Sequence, residues 1–422
     1  MRRSFPLFVG LCLVGCSSTV REPVIPPDAA PASLPATLRH ADCARFATLH
    51  APTAAAWEAR LATARTAVRQ AGKPSNPTLS LSWENLGLGA SSIQRTLSVS
   101  QAIATLASAP RARAAAAHDL AATQADLIAE RRRLVAAAWR AYDDLVASRS
   151  RVRLATEVEA LLEEAARAAA KRAEAGEGSR REQDLAEAEA AKARGERAAA
   201  EGEARAQEVA LCAALGTERP TSLRLGEGLA DLPSRTPDQI AVAVRERAEV
   251  KAAGERYAAR LERARLTAAG YRFIPTPTAG PRKEGDVASA IVSWDIELPI
   301  FDSGRLEGYA AEAELLAAAA ELRNTARTGA FQAAGLFERD LTAHATRDDH
   351  ARPLAEQRHR LRLSAQRLYE AGELEFDALV AARRDEAEAG VALLDEEVAA
   401  ARSRLDLWEA AGLLDIDDAP SR

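Results

Sequence analysis

The chain has 422 residues, a net charge of −5 and a pI near 5.9, a balance that excludes a generally basic nucleic-acid binder. Its hydrophobic fraction is 47%, but 100 residues are alanine and aromatics make up only 4%. Alanine has little area to bury, so a conventional large core is excluded and long helices are favoured. Mixed-sign charge at 28% argues against a wholly disordered chain.

In chain order, Arg2 and Arg3 precede an apolar stretch from Phe5 to Val14 that is too short to remain as a bilayer-spanning helix. Residues 1–15 therefore read as a secretory signal. It ends in Leu13-Val14-Gly15-Cys16, which resembles a bacterial lipobox and implies cleavage before Cys16 with a covalent lipid on its thiol. An ordinary signal with a chance cysteine is the alternative. Ser17, where an Asp would imply inner-membrane retention, favours the outer membrane. Residues 16–40 form a tether with Pro23, Pro26, Pro27, Pro31 and Pro35, a composition that reads as extended chain. With Cys12 removed and Cys16 acylated, Cys43 and Cys212 remain. An oxidising periplasm permits a disulfide between them, and two buried thiols are the other reading.

The next segments alternate with period two. Leu79, Leu81 and Trp83 face one way, and Thr78, Ser80, Ser82 and Glu84 the other. Leu97 and Val99 alternate with Thr96, Ser98 and Ser100. Much later, Ala290, Val292, Trp294, Ile296 and Leu298 alternate with Ser289, Ile291, Ser293, Asp295 and Glu297. The expected strands are about 77–86, 94–101, 271–279 and 287–298, the third weakened by Pro275 and Pro277. Such segments, with aromatics on the apolar face, suit a transmembrane barrel whose lumen would be lined by Ser80, Ser82, Ser98, Ser293 and Asp295. A soluble hairpin packed on a helix is the alternative. Four strands cannot close a barrel and an open edge cannot sit in lipid, so spanning strands require oligomerisation. Three copies supply twelve strands.

Between the strands lie very long helices. Residues 111–175 contain neither Gly nor Pro, and Val135, Trp139, Tyr142 and Val146 form a coiled-coil stripe. The second long helix is expected from about Arg305 to Glu370, with Leu354, Leu361 and Leu368 seven apart and a kink or local break at Pro353. Each stops at a glycine, Gly176 or Gly372, and a helix returns, placing hairpin tips near 175–181 and 371–376. The tetrapeptide at 174–177 recurs at 370–373, an offset of 370 − 174 = 196, and Gly216 matches Gly412 at the same offset. The chain is two copies of one unit: a first repeat over 41–216, a linker over 217–237, a second repeat over 238–412 and a tail over 413–422.

These features resemble the TolC-like outer-membrane efflux protein family. The most specific piece is Asn76-Pro77-Thr78 through Trp83-Glu84-Asn85, which looks like its heavy-metal (CzcC/CusC-type) branch. Leu298-Pro299-Ile300-Phe301-Asp302-Ser303-Gly304-Arg305 is similar to the family's LPLFDGGR. Arg247-Ala248-Glu249-Val250-Lys251-Ala252 is similar to RPEVKAA, with Ala248 replacing Pro, and Tyr369-Glu370-Ala371-Gly372-Glu373 to its tip motif. The resemblance implies a mainly α fold with a small β part: a homotrimeric twelve-stranded barrel in outer-membrane lipid, continued by an α-helical barrel. It implies a passive duct of a tripartite pump, docked to a periplasmic adaptor and an inner-membrane pump of the RND type, with heavy-metal cations as cargo. A type I secretion or drug-export duct is the second reading, and a lipid-anchored periplasmic coiled-coil scaffold the third. The family's tip residues fall on Gly176 with Glu182 and on Gly372 with Asp377. Rings of Glu373, Glu375 and Asp377 would favour cations.

No nucleophile elbow, phosphate loop or HExxH motif appears, so the chain reads as a non-enzyme without a cofactor beyond the lipid on Cys16. His344, His350 and His359 are spaced six and nine apart, off any common helical face, and no metal site is expected there. The Arg131-Arg132-Arg133 run reads as a solvated helix face.

Overall fold

The structure, a computed structural model, describes residues 34–35, 37–50, 54–84, 93–176, 178–217, 223–270, 274–296, 298, 300–301, 304–371 and 373–414. The first repeat comprises β1 (Thr37–Leu38), α1 (His40–His50), α2 (Ala54–Gln70), β2 (Thr78–Glu84), β3 (Gln94–Ser100), α3 (Ala104–Glu174) and α4 (Arg180–Leu215). After β4 (Arg224–Leu225) the second repeat follows with α5 (Pro237–Arg245), α6 (Ala248–Gly270), β5 (Thr276–Glu284) and β6 (Val287–Asp295). It closes with α7 (Arg305–Ala345), α8 (Arg352–Glu370) and α9 (Phe376–Ala411). Helix α3 alone has 71 residues, about 107 Å at 1.5 Å per residue.

The repeat is written into the helix ends. Helices α4 and α9 have 36 residues each, and 376 − 180 and 411 − 215 both equal 196. Each ends on a left-handed glycine, Gly216 (φ 65°) and Gly412 (φ 70°). The next amide reaches back to close the last turn, Thr217 N–H to Cys212 O at 3.0 Å and Leu413 N–H to Trp408 O at 2.9 Å. The expected tips lie where α3 gives way to α4 and α8 to α9; Gly176 has φ 77°, and Gly372 lies outside the described residues.

Several boundaries differ from expectation. Helix α3 begins seven residues before Arg111 and carries Pro110 in its second turn, giving up one backbone bond. Strand β5 runs Thr276–Glu284, not 271–279, and a two-residue turn at Gly285-Asp286 joins it to β6. Its prolines are tolerated because Pro277 and Pro281 share one side of the strand, the side on which Pro277 O accepts from Gln101 N–H, so the ladder to β6 keeps its donors. The interruption expected at Pro353 takes the form of a local break: residues Thr346–Ala351 form a wider, π-helical segment between α7 and α8, ending as the proline enters the first turn of α8.

The four long strands form one antiparallel sheet in the order β2-β3-β5-β6, so the repeats join along β3–β5 and both outer edges are open. The main core lies midway along α3, where the last turns of α4 and α9 meet it, and not in the sheet. Leu38, Cys43, Val135, Trp139, Tyr142, Leu145, Leu211, Leu215, Leu405 and Trp408 bury one another there, drawn from β1, α1, α3, α4 and α9. The stripe on α3 is thus an equatorial core contact; Val146 is only partly buried at its margin. Leu354, Leu361 and Leu368 form no buried seam within the chain, since Leu361 is 50% exposed and α8 has no buried residue.

Candidate functional site: an apolar sheet face and an ion-paired helical body

The register fixes which strand residues share a face. Leu79 pairs with Val99, Leu81 with Leu97 and Trp83 with Arg95; across β5, Ala279 pairs with Val292 and Pro277 with Trp294. Paired residues project to the same side, so these rows form one apolar face. That face is bare: Leu79 is 61%, Trp83 54%, Val292 71% and Trp294 57% exposed. Exposed apolar area of this extent, with no helix over it, marks a surface made for a partner or for lipid. Trp83 and Trp294 stand at opposite ends of the band, as interfacial aromatics do. The other face holds Ser80, Ser82, Ser98, Ser293 and Asp295, all five candidates for a lumen, with Thr278 Oγ1 donating to Asp295 Oδ2 at 3.3 Å. No described helix is long and apolar enough to cross a membrane.

Below the sheet, charge zips the helices together. On α3 and α6 the pairs Asp119–Arg263, Asp126–Arg256 and Arg133–Glu249 recur every seven residues on both partners. On α3 and α9, Arg140–Asp406, Asp144–Arg402 and Arg151–Asp395 each sum to 546, the signature of one antiparallel register. Further toward the tips Arg384 of α9 reaches Glu189 of α4 at 3.2 Å. The Arg131-Arg132-Arg133 run belongs to this system instead of a purely solvated face: Arg132 Nε donates to Leu414 O at 3.0 Å, and Arg133 pairs with Glu130 and Glu249.

The tip residues are more structural than the sequence showed. Glu182 is the third residue of a capping box: Ser179 Oγ accepts from Glu182 N–H, and Ser179 N–H donates to the Glu182 carboxylate, both at 3.2 Å. Asp377 lies in the first turn of α9, where a negative charge suits the helix dipole, and Glu373, Glu375 and Asp377 are exposed. Cys43 and Cys212 are both buried and both remain thiols. The disulfide reading is not realised in this structure, and burial, with Asp42, Asp143 and Glu227 nearby, pushes the Cys43 thiol far above its usual range. Cys16 lies outside the described residues. No group of three His, Cys, Asp or Glu side chains able to hold a metal occurs among the described residues; His344 faces Asp340 at 3.4 Å and His359 Glu386 at 2.6 Å.

One buried polar cluster has no sequence signal. His40, 6% exposed, sets Nε2 2.9 Å from Asp143 Oδ1 and Nδ1 3.0 Å from Glu227 Oε2. Burial works to raise the Glu227 pKa, but hydrogen bonds from the His40 ring and backbone outweigh it and hold the carboxylate below its usual range. Tyr142 OH donates to Leu38 O and accepts from Glu227 N–H, and Trp139 Nε1 donates to His40 O. The cluster straps β1, α1 and the segment after β4 onto α3. Its members come from positions far apart in the chain, so no spacing could reveal it.

No family model matches the sequence, and no curated protein does. Solved structures do match in shape. The outer membrane protein VceC of Vibrio cholerae aligns at 21% identity over 88% of this chain and 96% of its own, with a TM-score of 0.73. The open-state MtrE outer membrane channel of Neisseria gonorrhoeae aligns at 16% identity over 91% and 94%, TM-score 0.72. CusC, described by its transmembrane channel formation, aligns at 16% identity over 88% and 91%, TM-score 0.73. The chain has the TolC-like fold of these channels.

Proposed function

We propose that this protein is the outer-membrane duct of a tripartite efflux pump, a passive homotrimeric channel and not an enzyme. The observation that carries the reading is the bare apolar face on a four-stranded sheet with two open edges, mounted on a helical body with the fold of outer-membrane channels. In lipid the open edges need partners, and β6 of one copy beside β2 of the next closes twelve strands. The same association would cover the leucines left half-exposed on α8. A lipid-anchored periplasmic scaffold would leave the whole sheet face in water, which disfavours it.

The acidic, exposed tip residues Glu373, Glu375 and Asp377, with Gly176 at the first turn and Gly372 as its counterpart in the sequence repeat, are what we assign to an adaptor and to the gate, with an inner-membrane RND-type pump behind it. A lipid on Cys16 would hold the duct to the outer membrane. For cargo we favour heavy-metal cations over drugs or a secreted polypeptide. Support comes from the Asn76-Pro77 strand motif and the acidic tips, with cations passed along the duct rather than held in a built site.

Mass and single-channel conductance of the detergent-extracted protein test the duct. A trimer with discrete, cation-selective steps is expected; a monomer or dimer that never conducts would overturn it. Anion-selective steps would remove the cargo assignment alone.

A further inference from the structure

The row of paired residues farthest from the helices on the apolar face is Trp83–Arg95–Lys283–Ala288. Arg95 and Lys283 are direct cross-strand partners, both exposed. Two like charges in that position repel each other, their Cβ atoms being about 5 Å apart. Yet no carboxylate forms an ion pair with either one among the described residues, whereas Arg282, on the opposite face, has Glu284 at 3.9 Å. The β2–β3 connection over residues 85–92 contains no Asp or Glu that could serve. Of the carboxylates at this end, Glu84 and Glu284 are one residue further along their strands and so project to the serine face, and Asp286 lies beyond them in the β5–β6 turn. On the strands themselves, the cations stand on the outside and the acids on the inside.

We propose that Arg95 and Lys283 form a binding site for the phosphate groups of a phosphorylated glycolipid in the outer leaflet. The inference rests on the duct reading, which places this rim at the distal membrane surface. The helices enter and leave the sheet at the other end, through Gln70 before β2 and Ala104 after β3, so the Arg95 row is the outermost paired row of the apolar face. A headgroup phosphate beside two adjacent cations removes their mutual repulsion, Trp83 in the same row meets the glycolipid at its polar–apolar boundary, and the acyl chains cover Leu81, Leu97 and Val99 below. A guanidinium and an ammonium together offer a fork and a point charge to one phosphate.

The test uses the purified full-length trimer in neutral detergent, with native mass spectrometry counting bound lipid. The probes are diphosphoryl lipid A, the same lipid with its phosphates removed, and sodium phosphate. Diphosphoryl lipid A is expected to bind about tenfold more tightly than the dephosphorylated lipid, and to lose that advantage in the Arg95→Gln/Lys283→Gln double variant. Sodium phosphate is expected not to displace it. If the double variant does not assemble, each single variant is read instead and is expected to lose about threefold. Equal binding of the two lipids, an unaffected variant, or displacement by sodium phosphate would each overturn the inference. Conductance of the wild type, recorded in parallel, separates this from failure of the duct itself, which would show as a non-conducting wild type.

Discussion

Gly280 occupies a point in β5 where a side chain has no room: a Cβ built there would lie 1.9 Å from Leu97 O and 2.6 Å from the Ser98 Cα. The β3–β5 register lapses at this place, and Pro281 beside it supplies no donor, so the junction between the two repeats is already the weakest ladder in the sheet. Gly280→Ala should therefore part β3 from β5 and cost on the order of 2–4 kcal/mol, read as loss of heat-resistant oligomer on gels. At the equator, Glu227 gives a pH signature. Its folded pKa is depressed, so its contribution to stability is present above its unfolded value of about 4.3 and is lost as pH falls through the folded one. Glu227→Gln should flatten the decline in melting temperature below about pH 4.5 and leave neutral-pH assembly intact; an unchanged acid limb would show that the carboxylate is not engaged.

At the scale of elements, each long helix is held by registered charge because alanine surfaces bring little burial. Asp144 on α3 and Arg402 on α9 are bonded in the middle of one such register. Asp144→Arg alone should cost about 1 kcal/mol, and the exchange Asp144→Arg/Arg402→Asp should recover most of it in a double-mutant cycle by urea unfolding. The π segment over Thr346–Ala351 has a local cause in Pro353, which lacks the N–H that a regular α-helix would place there. Pro353→Ala should restore that donor and raise stability by about 1–3 kcal/mol, measured by thermal melting. Both features could be half read in advance. Proline's missing donor is a property of one residue, but whether the helix kinks or takes an extra residue into its turn depends on what packs beside it.

For the whole molecule, the open edges of β2 and β6 would need partners in lipid, and on the proposed trimer three copies of the four-stranded sheet would give one closed surface. Cysteines placed on the two edges, as in Ser80→Cys/Ser293→Cys, should form dimers and trimers on treatment with a short bifunctional thiol reagent, with Cys43 and Cys212 buried and silent. Only monomers under conditions where the wild type runs as a trimer would place the edges apart.

Much was legible because it is periodic or local. Alternation along 78–84 and 287–295 defines two faces without knowledge of any partner, the 196-residue offset exposes the duplication, and glycines at 176, 216 and 412 stop helices through their own backbone freedom. What depended on the tertiary structure involves residues distant in sequence. The strap of His40, Asp143 and Glu227 exists because β1, α1 and α3 meet at the equator. Glu182 turned out to cap α4, and Leu361 to stand in the open. A helix's periodicity states that one stripe is apolar, but not what will cover it. That is decided by which neighbour arrives, and within this chain α8 leaves Leu354, Leu361 and Leu368 partly exposed.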